Sequence, residues 1–378
     1  MFEIPTANLP QPHELLPNEL TKLAFQTFQQ GKSTFGFVHK LLANQAMKQF
    51  APPRSESGAN YREEETPKVT QALIDEVRGR LDAMAAVDWQ DAEAGVYPAS
   101  LLFDGAWDEL VMNYPRVWLD MPKTWERASK KAFRDFDADV DTTGFPSYYT
   151  QNFHYQTGGY LSQESAEIYD LQVELLFNGG ADPMRRRVLA PLKAGLSGAF
   201  GDVEPKQVQV LDVACGTGRT LKMLRGMLPQ ASLHGVDLSP TYLRKANQLL
   251  SRAAGMLPQL VQGQGEALPY RENYFHGVTC VFLFHELPGP VRQQVIDEAF
   301  RVVRPGGTFV LCDSIQLDDS PLLSPMMEGF ARTFHEPFYR DYVRDDLAAR
   351  FARAGFEVVE TQMHYMSKYL VGRKPVGA

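Results

Sequence analysis

Four groups of residues in the second half of this 378-residue chain have the types and spacing to bind and act on a small molecule. The first is Val208–Thr220, where an apolar, β-branched run ends at Ala214, a turn carries Gly216 and Gly218, and Leu221 and Leu224 open a helical period. Two glycines at such a turn let the backbone pass close to a ligand, because a Cβ at either place would occupy the ligand's space. The second is Asp237, which ends the run Ser232-Leu-His-Gly-Val-Asp. It offers an ionised acceptor for strong hydrogen bonds. Asp237 could instead cap the next helix, but Ser239 before Pro240 suits that task better. The third group is Gln264, Gly265 and Glu266 in Gln262-Gly-Gln-Gly-Glu-Ala-Leu-Pro-Tyr. The fourth is His285 in Phe282-Leu-Phe-His-Glu-Leu-Pro, a residue type able to contact a substrate or carry its proton, or merely to cap a helix or pack as a satisfied buried histidine.

These groups need elements that bring them to one edge. From residue 207 the pattern alternates: strands at 207–213, 231–236, 257–261, 276–283 and 307–313, with helices at 218–227, 240–253 and 288–302 between them. Alternation of this kind predicts a parallel sheet with helices on both faces, and ligands in such sheets lie beyond the carboxyl ends of the strands where the strand order reverses. Helical stretches near 322–333 and 343–354 precede two more strands, 356–366 and 368–371, whose tight connection requires them to be antiparallel. A dinucleotide fold would want a third glycine three residues after Gly218. Leu221 stands there instead, which disfavours a pyrophosphate.

Taken in this order, the motifs resemble the class I S-adenosylmethionine-dependent methyltransferases. Leu211-Asp-Val-Ala-Cys-Gly-Thr-Gly-Arg-Thr is similar to their first motif, Asp237 to their ribose-binding acid, Gln262–Tyr270 to their adenine-side loop, and Arg304-Pro-Gly-Gly to the segment before a later strand. The resemblance covers roughly the last half of the chain. It implies a seven-stranded sheet with an antiparallel last strand, and S-adenosylmethionine held by Asp212, Ala214, Gly216, Gly218, Asp237, Leu238, Gln264, Gly265, Glu266 and Phe282. Gln264 departs from the family's usual aspartate, and an uncharged acceptor hydrogen-bonds less strongly, so the choice between Gln264 and Glu266 stays open. The resemblance also places His285 at the active-site floor, and the run Phe334–Tyr342 over the pocket with His335 and Tyr339 in reach of a substrate or only packing a lid. Leu-Pro-Tyr and Arg-Pro-Gly-Gly-Thr are most similar to the branch that includes ubiquinone and menaquinone C-methyltransferases, a branch that spans C-, O- and N-methylation. No Asn-Pro-Pro-Tyr run follows the fourth strand, which counts against amino-methyltransferases of DNA and glutamine.

Composition narrows the partners. A net charge of −8 with 22% charged residues argues against a nucleic-acid backbone, and Arg185-Arg-Arg, the one dense basic run, reads as a solvated helix face. The three cysteines, Cys215, Cys280 and Cys312, are far apart and fit small core residues in a reducing compartment. No stretch approaches a membrane span, and the N-terminal residues fit neither a secretory nor a transit signal.

The first half reads as helical: an extended arm at 1–12, a helix over about 17–50, a linker at 51–65, a helix from Thr66-Pro67 to about 87, and aromatic-rich helical material at 100–133 with Trp107, Tyr114, Trp118 and Trp125. Gly31-Lys-Ser-Thr is not a phosphate loop, since Gln26 holds the required first glycine's place and no strand precedes it. Asp135, Asp137, Asp139 and Asp141 do not form an EF-hand, which would want glycine at Val140 and glutamate at Pro146. Segment 144–160, rich in tyrosine, fits either a loop that closes over a ligand or a hinge between domains. Helices capped by Ser162 and by Asp182-Pro183 follow.

The expectation is therefore an α/β protein: a Rossmann-like, mostly parallel seven-stranded sheet over 161–378, preceded by a mostly helical domain over 1–160. Its expected task is methyl transfer from S-adenosylmethionine to an O-, C- or N-nucleophile of a small molecule, aromatic and quinol-like acceptors included, with His285, His335 and Tyr339 as catalytic candidates. No metal is expected, since no histidine and cysteine cluster has ligand spacing. A cytoplasmic protein without nucleic-acid or membrane-spanning role is expected, and an oligomer is allowed. The rivals are a NAD-dependent oxidoreductase and a non-catalytic S-adenosylmethionine-binding protein.

Overall fold

A computed structural model describes residues 17–52, 70–136 and 140–377. The expected arm at 1–12, most of the 51–65 linker, the Thr66-Pro67 helix start, and Asp137 and Asp139 lie outside the described residues. Seven strands form one sheet: β1 (Gln209–Val213), β2 (Ser232–Asp237), β3 (Gln259–Gln262), β4 (Phe275–Val281), β5 (Val303–Ser314), β6 (Glu357–His364) and β7 (Ser367–Arg373). Their spatial order is β3-β2-β1-β4-β5-β7-β6. Only β7 runs against its neighbours, pairing antiparallel with both β5 and β6. The order reverses between β1 and β4, which opens the ligand crevice of doubly wound sheets.

Among the described residues twelve α-helices accompany the sheet: α1 (Glu19–Phe50), α2 (Gln71–Glu93), α3 (Leu110–Lys130), α4 (Gln163–Leu176), α5 (Ala181–Arg186), α6 (Leu189–Phe200), α7 (Arg219–Met227), α8 (Pro240–Leu250), α9 (Gly289–Val302), α10 (Ser324–Thr333), α11 (Tyr339–Tyr342) and α12 (Leu347–Ala354). Both faces of strand β1 are covered: Leu211 and Val213 enter one core cluster with Val278, Phe309 and Ile296, and Val210 enters another with Val310, Leu192 and Leu224. The N-terminal helices bury side chains in the same clusters, Val77, Leu81 and Met84 of α2 in the first and Phe25 and Trp89 in the second. Trp107 and Tyr114 pack with Phe35 against a small cluster between α3 and α4. All three cysteines are buried and free.

Two features differ from what local pattern suggests. Helix α1, which contains Gly31-Lys-Ser-Thr, turns Phe25, Gln29, Lys32 and His39 inward and leaves Leu20, Leu23 and Leu41 exposed. Polar groups fix that choice: Gln29 Nε2 donates to Gly179 O at 2.8 Å and Lys40 Nζ to Leu176 O at 2.7 Å.

Arg185-Arg-Arg is not a solvated face. Arg185 donates to Asp182 Oδ1 at 3.0 Å, Arg187 pairs with Asp91, and Arg186, with no exposed surface, clasps Asp88 of α2 with Nε and Nη2 and donates Nη1 to Leu101 O at 3.1 Å. The carboxylates that neutralise the run are mostly remote in sequence, so charge density alone misreads it. Removing one partner of such a buried pair leaves the other charge stranded. Arg186→Ala is expected to cost about 3–5 kcal/mol of stability, read as a lowered urea midpoint.

Candidate active site

At the carboxyl ends of β1, β2 and β4 lies a cavity of about 780 Å³, its open mouth included. The turn after β1 forms its floor. Gly216 has φ +53°, and a Cβ built there meets no atom within 4 Å, so it would project into free space. Gly218, at φ +83°, serves packing instead: its Cβ would stand 3.0 Å from Ala246 Cβ of α8. The two glycines should separate by experiment. Gly216→Val should reduce nucleoside affinity with little loss of folding beyond the ~1–2 kcal/mol of a left-handed side chain, whereas Gly218→Ala should mainly lower the melting temperature. Ala214 (φ +56°) and Phe282 (φ +59°) also hold left-handed backbones on the cavity wall, at the ends of β1 and β4. Non-glycine residues in that region concentrate where function over-determines the backbone.

Asp237 ends β2 and lines the cavity. Its Oδ2 accepts from Gly216 N and its Oδ1 from Ser239 N, both at 2.8 Å, so this carboxylate ties the glycine turn to the start of α8. Each oxygen keeps a further lone pair for a ligand. Burial pushes its pKa up to about 6, against the pull of the two N–H donors. Ser239 Oγ accepts from Tyr242 N at 3.0 Å, the N-cap of α8, and donates to Tyr160 O at 2.5 Å. The glycine turn is braced from the helical side, with Thr217 Oγ1 donating to Asp170 at 2.8 Å and Arg219 to Asp182 at 2.8 Å.

The other candidates fall at varied distances from this space. Leu238, Gly265 and Glu266 line it, and Glu266 accepts from Tyr148 OH at 2.5 Å. Gln264 is taken up in a bridge with Ala267 and is not in the lining. Asp212 sits behind the turn, its Oδ1 accepting from Thr279 Oγ1 at 2.7 Å, and burial raises its pKa to about 7. Segment 144–160 roofs the cavity with Tyr148, Tyr149, Phe153 and Tyr160 while it joins the N-terminal helices to α4.

His285 does not line the cavity, but its neighbour Glu286 does. Burial pulls the imidazolium down, yet Asp313, bonded to Nδ1 at 2.6 Å, and the Glu336 and Glu286 carboxylates raise its pKa to about 10. Asp313 thus favours the charged form of His285, whose Nε2 lies 3.9 Å from Glu286 Oε1. Glu286 accepts from Tyr160 OH, and burial with the nearby Glu336 charge pushes its pKa up to about 7. His335 stacks on Phe133 with centroids 4.0 Å apart and shares a hydrogen bond of 2.6 Å with Gln151 Oε1. Tyr339 hydrogen-bonds Ser314 Oγ at 2.8 Å and meets His285 edge-on. Neither is among the lining residues.

Sequence reasoning did not single out Tyr169, Tyr242 or Glu286. Tyr169 and Tyr242 lie on helices where an aromatic reads as core, but Glu286 follows His285 directly and its position after β4 was the available signal.

The lining suits a nucleoside: an acid at the end of β2, a glycine whose missing side chain leaves room, and apolar walls from Val236, Leu238, Val281 and Leu287. This fold and site define a nucleoside-binding α/β enzyme of the methyltransferase type. A family model described as a methyltransferase domain matches residues 210–307. An uncharacterized methyltransferase of Synechocystis sp. is 31% identical over 164 residues, 43% of this chain and 72% of that protein. A demethylmenaquinone methyltransferase of Anoxybacillus flavithermus is 26% identical over 200 residues, 46% of this chain and 80% of that one. Among solved structures, a SAM-dependent methyltransferase of Methanosarcina mazei matches with a TM-score of 0.38 at 16% identity, over 47% of this chain and 97% of its own. The chain belongs to the class I S-adenosylmethionine-dependent methyltransferases. Its cofactor is S-adenosylmethionine, and the oxidoreductase reading is set aside. No helix among the described residues is long and apolar enough to cross a membrane.

Proposed function

We propose that the enzyme methylates a small molecule enclosed beneath segment 144–160. The observation that carries this reading is the placement of two of the three carboxylates on the cavity wall, Asp237 after β2 and Glu286 after β4. Strand β1 lies between β2 and β4, so the two acids enter from strands about 10 Å apart, the separation needed to hold a nucleoside at one side and an acceptor at the other. Asp237 takes the ribose hydroxyls, Gly216, Ala214, Leu238, Gly265 and Glu266 enclose the nucleoside, and Asp212, Gly218 and Gln264 shape the loops that carry them.

The bound cofactor supplies a methyl group on a positively charged sulfur, so catalysis rests mainly on aligning a nucleophile with that carbon. The chain's part is to hold the acceptor and exclude water. Glu286, fixed by Tyr160, accepts a hydrogen bond from the acceptor's O–H or N–H and so aims the attacking atom. His285 positions Glu286 electrostatically while Asp313 holds its ring, and His335 and Tyr339 keep the surrounding segments in place. The electron-rich faces of Tyr148, Tyr149, Phe153 and Tyr160 suit a positively charged reactant.

The name of the demethylmenaquinone methyltransferase relatives makes quinols the first acceptors to try, with phenols and amines beside them. Label from methyl-labelled S-adenosylmethionine is expected to appear in one of these classes. Cofactor binding without turnover of any would favour a binding protein instead.

A further inference from the structure

Behind Glu286 three segments far apart in sequence converge. His154 comes from the roof, Glu286 from the turn after β4, and Glu336 from the connection between α10 and α11. One ligand atom from each lies within 4.8 Å of the other two, the group among the described residues that could hold a metal. We propose that His154, Glu286 and Glu336 bind one divalent transition-metal ion at the inner wall of the acceptor cavity, with an oxygen or nitrogen of the acceptor completing its coordination. The acceptor's share in the site rests on the function proposed above; the protein ligands do not.

The second observation is the state of Glu336. Its side chain is wholly buried, and neither carboxylate oxygen has a hydrogen-bond donor. Oε1 forms an ion pair with His154 Nε2 without hydrogen-bond alignment, and Oε2 has no partner at all. A buried carboxylate with one oxygen wholly unpaired costs stability, and a metal ion shared with His154 would satisfy it. Tyr160 OH fixes Glu286 from outside the group, the kind of support that orients a metal-binding carboxylate.

The donor set points to the ion. One imidazole and two carboxylates suit Zn²⁺, Mn²⁺, Co²⁺ or Fe²⁺ better than the all-oxygen preference of Mg²⁺ or Ca²⁺, and no thiolate is present to favour a softer metal. Bonds of about 2.1 Å put donor atoms at most about 4.2 Å apart, so small side-chain rotations from the present spacing close the site. Glu286 alone of the three faces the cavity, which leaves the ion's remaining positions toward the acceptor.

The test uses the full-length protein after chelator treatment, titrated separately with Zn²⁺, Mn²⁺ and Co²⁺, with Co²⁺ followed by its visible absorption. One equivalent per chain is expected, with a rise in melting temperature. Affinity should fall more than about 100-fold in Glu336→Gln and His154→Ala, beyond the roughly 10–100-fold typical of residues one step outside a metal's ligands. S-adenosylhomocysteine titrations on the same samples report folding and the cofactor site. Saturable binding at one equivalent, lost in both variants while S-adenosylhomocysteine still binds, supports the site. No saturable binding, or binding unchanged in the variants, overturns it and leaves His154 and Glu336 as an ion pair, with the methyltransferase reading intact wherever S-adenosylhomocysteine binds. Metal binding without S-adenosylhomocysteine binding would fault the cofactor site and not this one.

Discussion

Replacing Asp237 by alanine is expected to weaken S-adenosylhomocysteine binding by about 100-fold or more. Hydrogen bonds to a charged group contribute roughly 1.5–3 kcal/mol each, two are proposed to the ribose, and about 1.4 kcal/mol is tenfold in affinity. The substitution also removes the acceptor that ties Gly216 N to Ser239 N, so the glycine turn loses its anchor at the same time. The charge gives the effect a pH signature. With a pKa near 6 in the free protein, the acceptor form of Asp237 prevails above that value and is lost as pH falls through it. Affinity should therefore be flat from pH 7 to 8 and decline below about 6, by at most roughly tenfold per unit. Asp237→Asn should bind weakly with no such decline. Calorimetry at pH 5 and pH 8 on the wild type and both variants checks all of this, and a wild-type affinity that rises on acidification would reverse the assigned role.

The second large effect is expected at Glu286. Glu286→Gln keeps the side chain's size and its contact with Tyr160 but gives the acceptor a poorer, uncharged partner. S-adenosylhomocysteine affinity should stay within about threefold, because cofactor and acceptor engage different strands, while kcat should drop about 100-fold, the scale on which slight misplacement of reactants acts. Methyl-transfer kinetics on an acceptor that the wild type turns over separate the two terms. A loss confined to nucleoside affinity would place Glu286 in the cofactor site instead.

Much of the sheet was legible because its strands are short β-branched and apolar segments bounded by turn signals and alternating with helical periods, as in β1 and β5. The glycine turn was readable for a different reason: Gly216 and Gly218 mark backbone that other residues rarely adopt. What the sequence did not show was which of them faces a ligand, since that depends on Ala246 of a helix still to come. Long-range pairing hid the rest. Arg185-Arg-Arg looks like surface until Asp88 and Asp91 are brought against it from α2. His285 stands out in the sequence as a titratable residue after β4, yet Asp313 holds its ring away from the cavity wall, which is left to Glu286. Likewise α1 shows apolar residues at helical spacing, but polar contacts to Gly179 and Leu176 decide which side of it is buried.

The most direct test of the central claim is a crystal structure of the full chain with S-adenosylhomocysteine. The account predicts both ribose hydroxyls on Asp237, the backbone of Gly216 against the nucleoside, and the sulfur turned toward Glu286 and Tyr160. A ligand seated elsewhere, or one whose ribose lies away from Asp237 with its sulfur pointing out to solvent, would contradict it.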